Sequence, residues 1–210
     1  MNLAGRFISL EGGEGAGKST QARALAAALE ARGIEVIATR EPGGSAGAEA
    51  IRALLMQGSV DRWQPRAEML LFAAARADLV DRTIRPALAR GAWVICDRYI
   101  DSTRAYQGAA GGLSDDEIMA VHAVGSQGLL PDRTILLDMP EALGAARAAA
   151  RDGAAADRFA ARGAAFHAAV AAGFRHFAAT EPDRFRVIDA SGTPDAVGAA
   201  VLAALADLLP

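Results

Sequence analysis

The chain has 210 residues, a formal net charge of −3 and 52% hydrophobic residues. That length suits one α/β domain with a buried core and leaves little room for a second. The mild acidity excludes a broad basic face for nucleic acid, so an anionic ligand has to be met by locally placed arginines. Residues 1–6 lead straight into a short apolar strand over 7–10, which leaves no room for a signal peptide. A Gly-rich turn follows, then a helix over 21–31 that Gly33 stops, and a second strand over 34–39. Helical periodicity returns over 48–56 and over 66–90, with a bend expected before Pro86. Residues 92–96 form a third, fully apolar strand, and a helix follows Asp101. After a loop at 108–112, Ser114 and Glu117 are spaced as a capping box for the next helix. A fourth strand spans 134–137. The Ala-rich stretch 142–172 reads as helix, interrupted around 152–157 by what reads as a mobile segment. A fifth strand over 185–188 and an amphipathic helix over 194–209 complete the chain.

Strands that alternate with helices predict an α/β fold with a five-stranded parallel sheet covered by helices on both faces. No run is long and apolar enough to span a membrane. Cys96 is the only cysteine and sits in an apolar strand, where it reads as core. With no disulfide possible, a reducing cytoplasm is the simplest location.

The strongest chemical signal is Gly12-Gly13-Glu14-Gly15-Ala16-Gly17-Lys18-Ser19, followed by Thr20. It fits G-x-x-x-x-G-K-[ST] and lies between a strand and a helix, the context that gives the pattern meaning. Glycines let backbone N–H groups turn inward around phosphate oxygens, and the helix N-terminus adds a favourable dipole. Lys18 is then expected at the β- and γ-phosphates, and the Ser19 hydroxyl on Mg²⁺. Lysine and arginine together number 22, yet Lys18 is the only lysine. That singles it out as a place where a compact ammonium is needed and a planar guanidinium would not fit. The competing reading is a Gly-rich turn that matches by chance. With no second lysine, the Asn-Lys-x-Asp reader of guanine is absent, which favours ATP.

Ligands of open α/β sheets sit beyond the carboxyl ends of the strands. Those ends carry Glu11, Arg40-Glu41, Asp97-Arg98 and Asp138. Such charges can also merely mark where strands leave the core, and Asp138 is read that way. Three further segments are distinctive: Arg40-Glu41-Pro42-Gly43-Gly44, Leu71-Phe72-Ala73-Ala74-Ala75-Arg76, and the run from Asp97-Arg98-Tyr99 through Thr103, Tyr106 and Gln107 to Gly108. In this order, behind the phosphate loop, they resemble the bacterial thymidylate kinase family from Phe7 to beyond Arg158.

The resemblance implies a P-loop kinase fold with a short lid at about 147–160. It implies transfer of a phosphoryl group from ATP, with Mg²⁺, to thymidine monophosphate. It also implies a homodimer through long apolar helices such as that over 66–90. Arg98 and Arg52 match the positions that hold the acceptor phosphate, with Arg40 a weaker candidate; two guanidinium forks suit a dianion. Phe72 and Arg76 share a helix face, one to stack on the thymine ring and one to donate to a ring carbonyl. Thr103 and Gln107 are placed at the other ring edge, Tyr106 and Glu11 near the sugar, Glu41 beside the substrate, and Asp97 on magnesium or its waters. As plain sequence, the competing reading is core for Phe72 and a solvated helix charge for Arg52.

Some members of the family carry an arginine inside the phosphate loop, but here that position is Gly15. The chain resembles the branch that supplies arginines from the lid. Asp157-Arg158-Phe159 resembles the lid motif, with Arg151 and Arg158 expected over the phosphates and Arg147 nearer the adenosine. The acidic residue often found after that triplet is replaced by Ala160. A phosphate acceptor is already ionised and needs no general base, so His122, His167 and His176 are read as non-catalytic. Two other readings stay open: a kinase for another mononucleotide or small metabolite, and a non-catalytic ATP-dependent switch that binds a protein partner.

Overall fold

The computed structural model describes residues 5–152 and 158–210. Five strands, β1 Phe7–Glu11, β2 Val36–Arg40, β3 Trp93–Asp97, β4 Arg133–Asp138 and β5 Phe185–Asp189, form one parallel sheet in the order β2-β3-β1-β4-β5. β1 lies at its centre, pairs with β3 and β4, and is buried along its whole length. Side chains alternate between the two faces. Ile8 and Leu10 pack with Leu25 and Leu29 of α1 (Lys18–Glu30) and Val197 and Val201 of α9 (Pro194–Ala203). Phe7 points the other way, with Val94 and Cys96, onto Leu79, Ile84 and Ile118.

The helix expected over 66–90 is divided into α3 (Pro65–Leu79), a π-helical turn (Val80–Ile84) and α4 (Arg85–Ala89). Pro86 has no N–H and crowds the carbonyl of Arg82, so the helix widens upstream: Arg85 N–H reaches Val80 O, five residues back. The final helix stops at Ala203, short of the expected 209; tighter turns then tuck Leu205 into the core. The capping box is present at the start of α6 (Asp115–Gly125): Glu117 N–H donates to Ser114 Oγ at 3.3 Å, and Ser114 N–H to Glu117 Oε2 at 3.0 Å. α2 spans Ala46–Met56, α7 Glu141–Asp152 and α8 Ala164–Thr180.

After β3 the chain enters α5 (Ile100–Thr103) and a second π-helical turn, Arg104–Ala109. Asp101 pins this stretch to the sheet. Its fully buried carboxylate accepts from Arg184 at 2.6 and 2.9 Å, from Arg104 at 3.0 Å and from Thr134 Oγ1 at 3.2 Å. Burial alone would push its carboxyl up, but the Arg184 and Arg104 contacts outweigh it and hold the group below the usual range. The segment that supplies much of the site is therefore anchored from beneath. Residues 153–157, where the interruption of the Ala-rich stretch was expected, lie outside the described residues.

Candidate active site

A cleft of about 680 Å³ opens at the carboxyl ends of β1, β2 and β3. One wall is the loop between β1 and α1. Its backbone turns through positive φ at Gly15 (φ 70) and Gly17 (φ 87), which glycine adopts without a Cβ penalty. A Cβ on Gly15 would stand 2.1 Å from the carbonyl oxygen of Gly144 in α7. That contact explains why no arginine can stand at this loop position here. Any positive charge for the transferring group has to come from elsewhere.

Lys18 is buried at the start of α1 and lines the cleft. Its Nζ donates to Gly13 O at 2.7 Å and Gly12 O at 3.1 Å. Burial, with the nearby Arg98 charge, pulls the ammonium down to a pKa of about 8. A bound triphosphate needs the charged form and raises that pKa again, so binding above pH 8 must take up a proton. In this window the phosphates have already lost their last proton. The Kd for ATP is therefore expected to rise between about pH 7.5 and 9.5, approaching tenfold per pH unit at the upper end. Calorimetry in buffers of different ionisation enthalpy reads both the slope and the proton; a flat Kd across that range would contradict the placement.

Ser19 Oγ donates to Asp97 Oδ2 across the floor of the cleft. A hydroxyl and one carboxylate beside a phosphate loop suit Mg²⁺, a hard cation that keeps waters and takes its remaining ligands from nucleotide phosphates. Among the described residues, no group of three or more His, Cys, Asp or Glu side chains is placed to form a protein-only metal cage.

Arg98 faces the phosphate loop from the end of β3. It has φ 70, a left-handed conformation uncommon for a residue with a Cβ and typical of functional sites. Its guanidinium donates to Glu14 Oε1 at 2.6 Å, Ser102 Oγ at 3.1 Å and Tyr106 OH at 3.2 Å, and lies 5.0 Å from the Tyr106 ring centroid. Tyr106 OH donates to Glu14 Oε1 at 3.0 Å. Burial holds the Tyr106 phenol above its ordinary pKa, so it remains a donor.

Glu11, expected near the sugar, has no edge on the cleft. It is fully buried, and its oxygens accept from Tyr99 N–H at 2.7 Å, Ser102 Oγ at 2.6 Å and Ser102 N–H at 3.3 Å. Burial, and then the charge of Asp101, push it up to about 8. Of these two neighbouring carboxylates it is Glu14, three residues on, that lines the cleft, because β1 ends at Glu11 and the loop turns outward after it.

The second half of the cleft is lined by buried polar groups. Arg76, 2% exposed, donates from Nε to Glu41 Oε2 at 2.9 Å and from Nη2 to Thr103 Oγ1 at 2.8 Å, and its Nη2 lies 2.8 Å from Glu41 Oε2 in the same ion pair. Its Nη1 has no partner among the described residues and is left for a ligand. Burial pushes Glu41 up to about 7, against the pull of Arg76. Phe72, partly buried one turn before Arg76, packs against Phe159 with centroids 5.8 Å apart. Gln107 and Thr103 lie on the same wall.

The remaining expected residues spread more widely. Arg52 lines the cleft and donates to Pro42 O at 2.7 Å; Arg40 lines it too and pairs with Glu49 at 3.1 Å on the surface. Arg147 reaches it from α7 and donates to Ala190, Ser191 and Gly192 carbonyls, tying α7 to the loop after β5. Thr20 lines the loop side, while Gly12, Gly13 and Ala16 shape the turn. Arg158 is elsewhere. It is 3% exposed and bound to Glu68 at 2.5 Å and to the carbonyls of Leu55, Ser59 and Val60, so in this conformation it does not reach the phosphate loop. The side chain of Arg151 and the whole of Asp157 lie outside the described residues. The three histidines do not line the cleft; His122 is buried against Leu129 O, and burial lowers it to about 4. Cys96 is fully buried.

Six lining residues carry no role in the sequence reading: Arg23, Pro42, Met56, Tyr99, Ser102 and Phe159. Pro42, Tyr99, Ser102 and Phe159 stand inside the distinctive motifs and were within reach. Arg23 and Met56 come to the cleft from helix faces whose orientation only packing reveals.

The chain matches the thymidylate kinase family over residues 10–201. It is 62% identical to the thymidylate kinase of Rhizorhabdus wittichii over 208 residues, covering 99% of this chain and 100% of that protein. It is 57% identical to that of Caulobacter vibrioides over 199 residues, 94% of each. A crystal structure of thymidylate kinase from Ehrlichia chaffeensis superposes with a TM-score of 0.79 at 30% identity, over 96% of this chain and 99% of that one. With relatives this similar over nearly their whole length, and a cleft built on a phosphate loop that faces an arginine, the chain belongs to the thymidylate kinase family, enzymes that move the γ-phosphoryl group of ATP onto thymidine 5′-monophosphate.

Proposed function

We propose that this chain carries out its family's reaction by holding ATP on the phosphate loop and thymidine monophosphate in the pocket of Arg76, with the two phosphate chains in line across the cleft. The observation that carries this reading is that Lys18 of the phosphate loop and Arg98 from the end of β3 line one cleft. Lys18 and the loop amides grip the triphosphate, and Arg147 lies toward the adenosine. Ser19 and Asp97 hold Mg²⁺, which neutralises charge on the phosphates. Arg98 and Arg52 hold the acceptor phosphate, whose attacking oxygen is already ionised and needs no base. Positioning and charge stabilisation then supply the catalysis. Tyr106 and Glu14 bound the sugar, Phe72 stacks on the ring, and Arg76 Nη1 donates to a ring carbonyl while Glu41 and Thr103 fix its orientation. Arg158, with Arg151, serves the transferring group only by leaving Glu68.

The enzyme works in the cytoplasm as a homodimer. Support for the dimer is the exposure of Leu70 on α3 and Val124 on α6, 55% and 85%, on two helices packed side by side. The test is an acceptor panel with ATP and Mg²⁺: thymidine, uridine, guanosine and adenosine monophosphates. ADP formation that depends on thymidine monophosphate supports the reading, and equal turnover of a purine acceptor would overturn it. Sedimentation of the same preparation as a monomer at assay concentration would remove the dimer.

A further inference from the structure

Glu68 of α3 belongs to none of the groups placed in the reaction, yet it is a 1% exposed carboxylate with three side-chain partners. Arg158 Nη2 and Arg162 Nη2 both donate to its Oε1, at 2.5 and 2.7 Å. Arg162, which stays on Oε1 when Arg158 leaves for the transferring group, holds the rotation of the carboxylate and leaves Oε2 turned to Gln107. Gln107 Nε2 donates to Oε2 at 3.0 Å, buried. A carboxylate only accepts, so the opposite amide orientation would set two acceptors against each other. Gln107 is itself 1% exposed and lines the cleft; its Oε1 has no partner among the described residues. The amide of a glutamine can ordinarily present a donor or an acceptor, and here its orientation is decided from behind.

We propose that Glu68 is the positioning residue that makes Gln107 present a carbonyl oxygen to the acceptor base, and so selects a ring that carries an N–H at that edge. This rests on the base lying beside Phe72 and Arg76. Thymine and uracil have such an N–H. Cytosine has an unprotonated nitrogen there, which would face the carbonyl as a second acceptor.

The test is a cycle of Glu68→Gln and Gln107→Leu with thymidine monophosphate as acceptor, melting temperature being recorded for each protein. A glutamine at 68 can meet Gln107 with either end and no longer dictates its orientation. Glu68→Gln is expected to raise KM for thymidine monophosphate roughly tenfold, about one net hydrogen bond. In the Gln107→Leu background the same change is expected to raise it less than about twofold. Preference for thymidine over cytidine acceptors falls in step. Glu68→Asp keeps the charge for both arginines but withdraws a methylene from the amide, and repeats the test should the glutamine variant fail to fold. An equal KM increase whether or not residue 107 is glutamine would overturn the inference, since Glu68 would then act by packing alone. A wild-type protein that fails to phosphorylate thymidine monophosphate would instead overturn the placement of the substrate.

Discussion

Lys18→Ala is expected to lower kcat/KM for ATP by roughly 10²–10³-fold, the usual cost of removing one preorganised charged donor from a transferring group. The ammonium stands 2.7 and 3.1 Å from two loop carbonyls, at the centre of the curve that the loop glycines make. With phosphate present, those carbonyls exchange it for the β- and γ-oxygens over a short movement. Lys18→Arg should not restore the rate, because a planar fork is larger and cannot enter the loop as a point charge. The loss should be catalytic and not structural. Burial disfavours the charged lysine in the empty protein, so its removal relieves a cost, and the melting temperature should not fall. Steady-state kinetics beside thermal melts check both halves. Activity near the wild-type level would mean that the triphosphate sits elsewhere.

Arg98→Ala is expected to cut kcat/KM for thymidine monophosphate by about 10²-fold or more, as expected when one partner of a largely desolvated charge pair is truncated. The guanidinium does two things at once. It closes the acceptor end of the cleft, and it holds Glu14 and Tyr106 in place through 2.6 and 3.2 Å contacts. Arg98→Lys should recover only part of the loss, since one ammonium cannot span Glu14, Ser102 and a phosphate together. Arg158→Ala offers a contrast. Its effect is expected in kcat more than in either KM, and it should also lower stability, because it removes one of two arginines from buried Glu68. A KM effect at Arg158, with kcat unchanged, would take that residue out of the transfer step.

The phosphate loop was legible in residues 12–19 because its function is local. A strand, a glycine-rich turn, one lysine and a helix start are contiguous, and backbone amides do most of the binding. The parallel sheet was legible for a similar reason: five apolar runs separated by helical periodicity leave few other ways to cover both faces. Local backbone chemistry was harder to read. The missing N–H of Pro86 announces a bend in 66–90, but not that it takes the form of a π-helical turn. α9 ends early in tighter turns with Leu205 buried, which the apolar pattern running to 209 does not show.

The roles of charged residues were decided by the tertiary structure. Glu11 and Glu14 are three residues apart and chemically alike. One lies beneath α5 with its oxygens filled, and the other lines the cleft, because the chain turns outward between them. Arg158 stands in a motif that points to the phosphates, yet here it is bound to Glu68, 90 residues earlier in the chain. Gln107 was visible as a pocket residue, but which end of its amide meets the cleft depends on a carboxylate 39 residues away. Periodicity and turn chemistry act over a few residues and can be read along the chain. Burial, ion pairing and amide orientation depend on neighbours that only folding brings together.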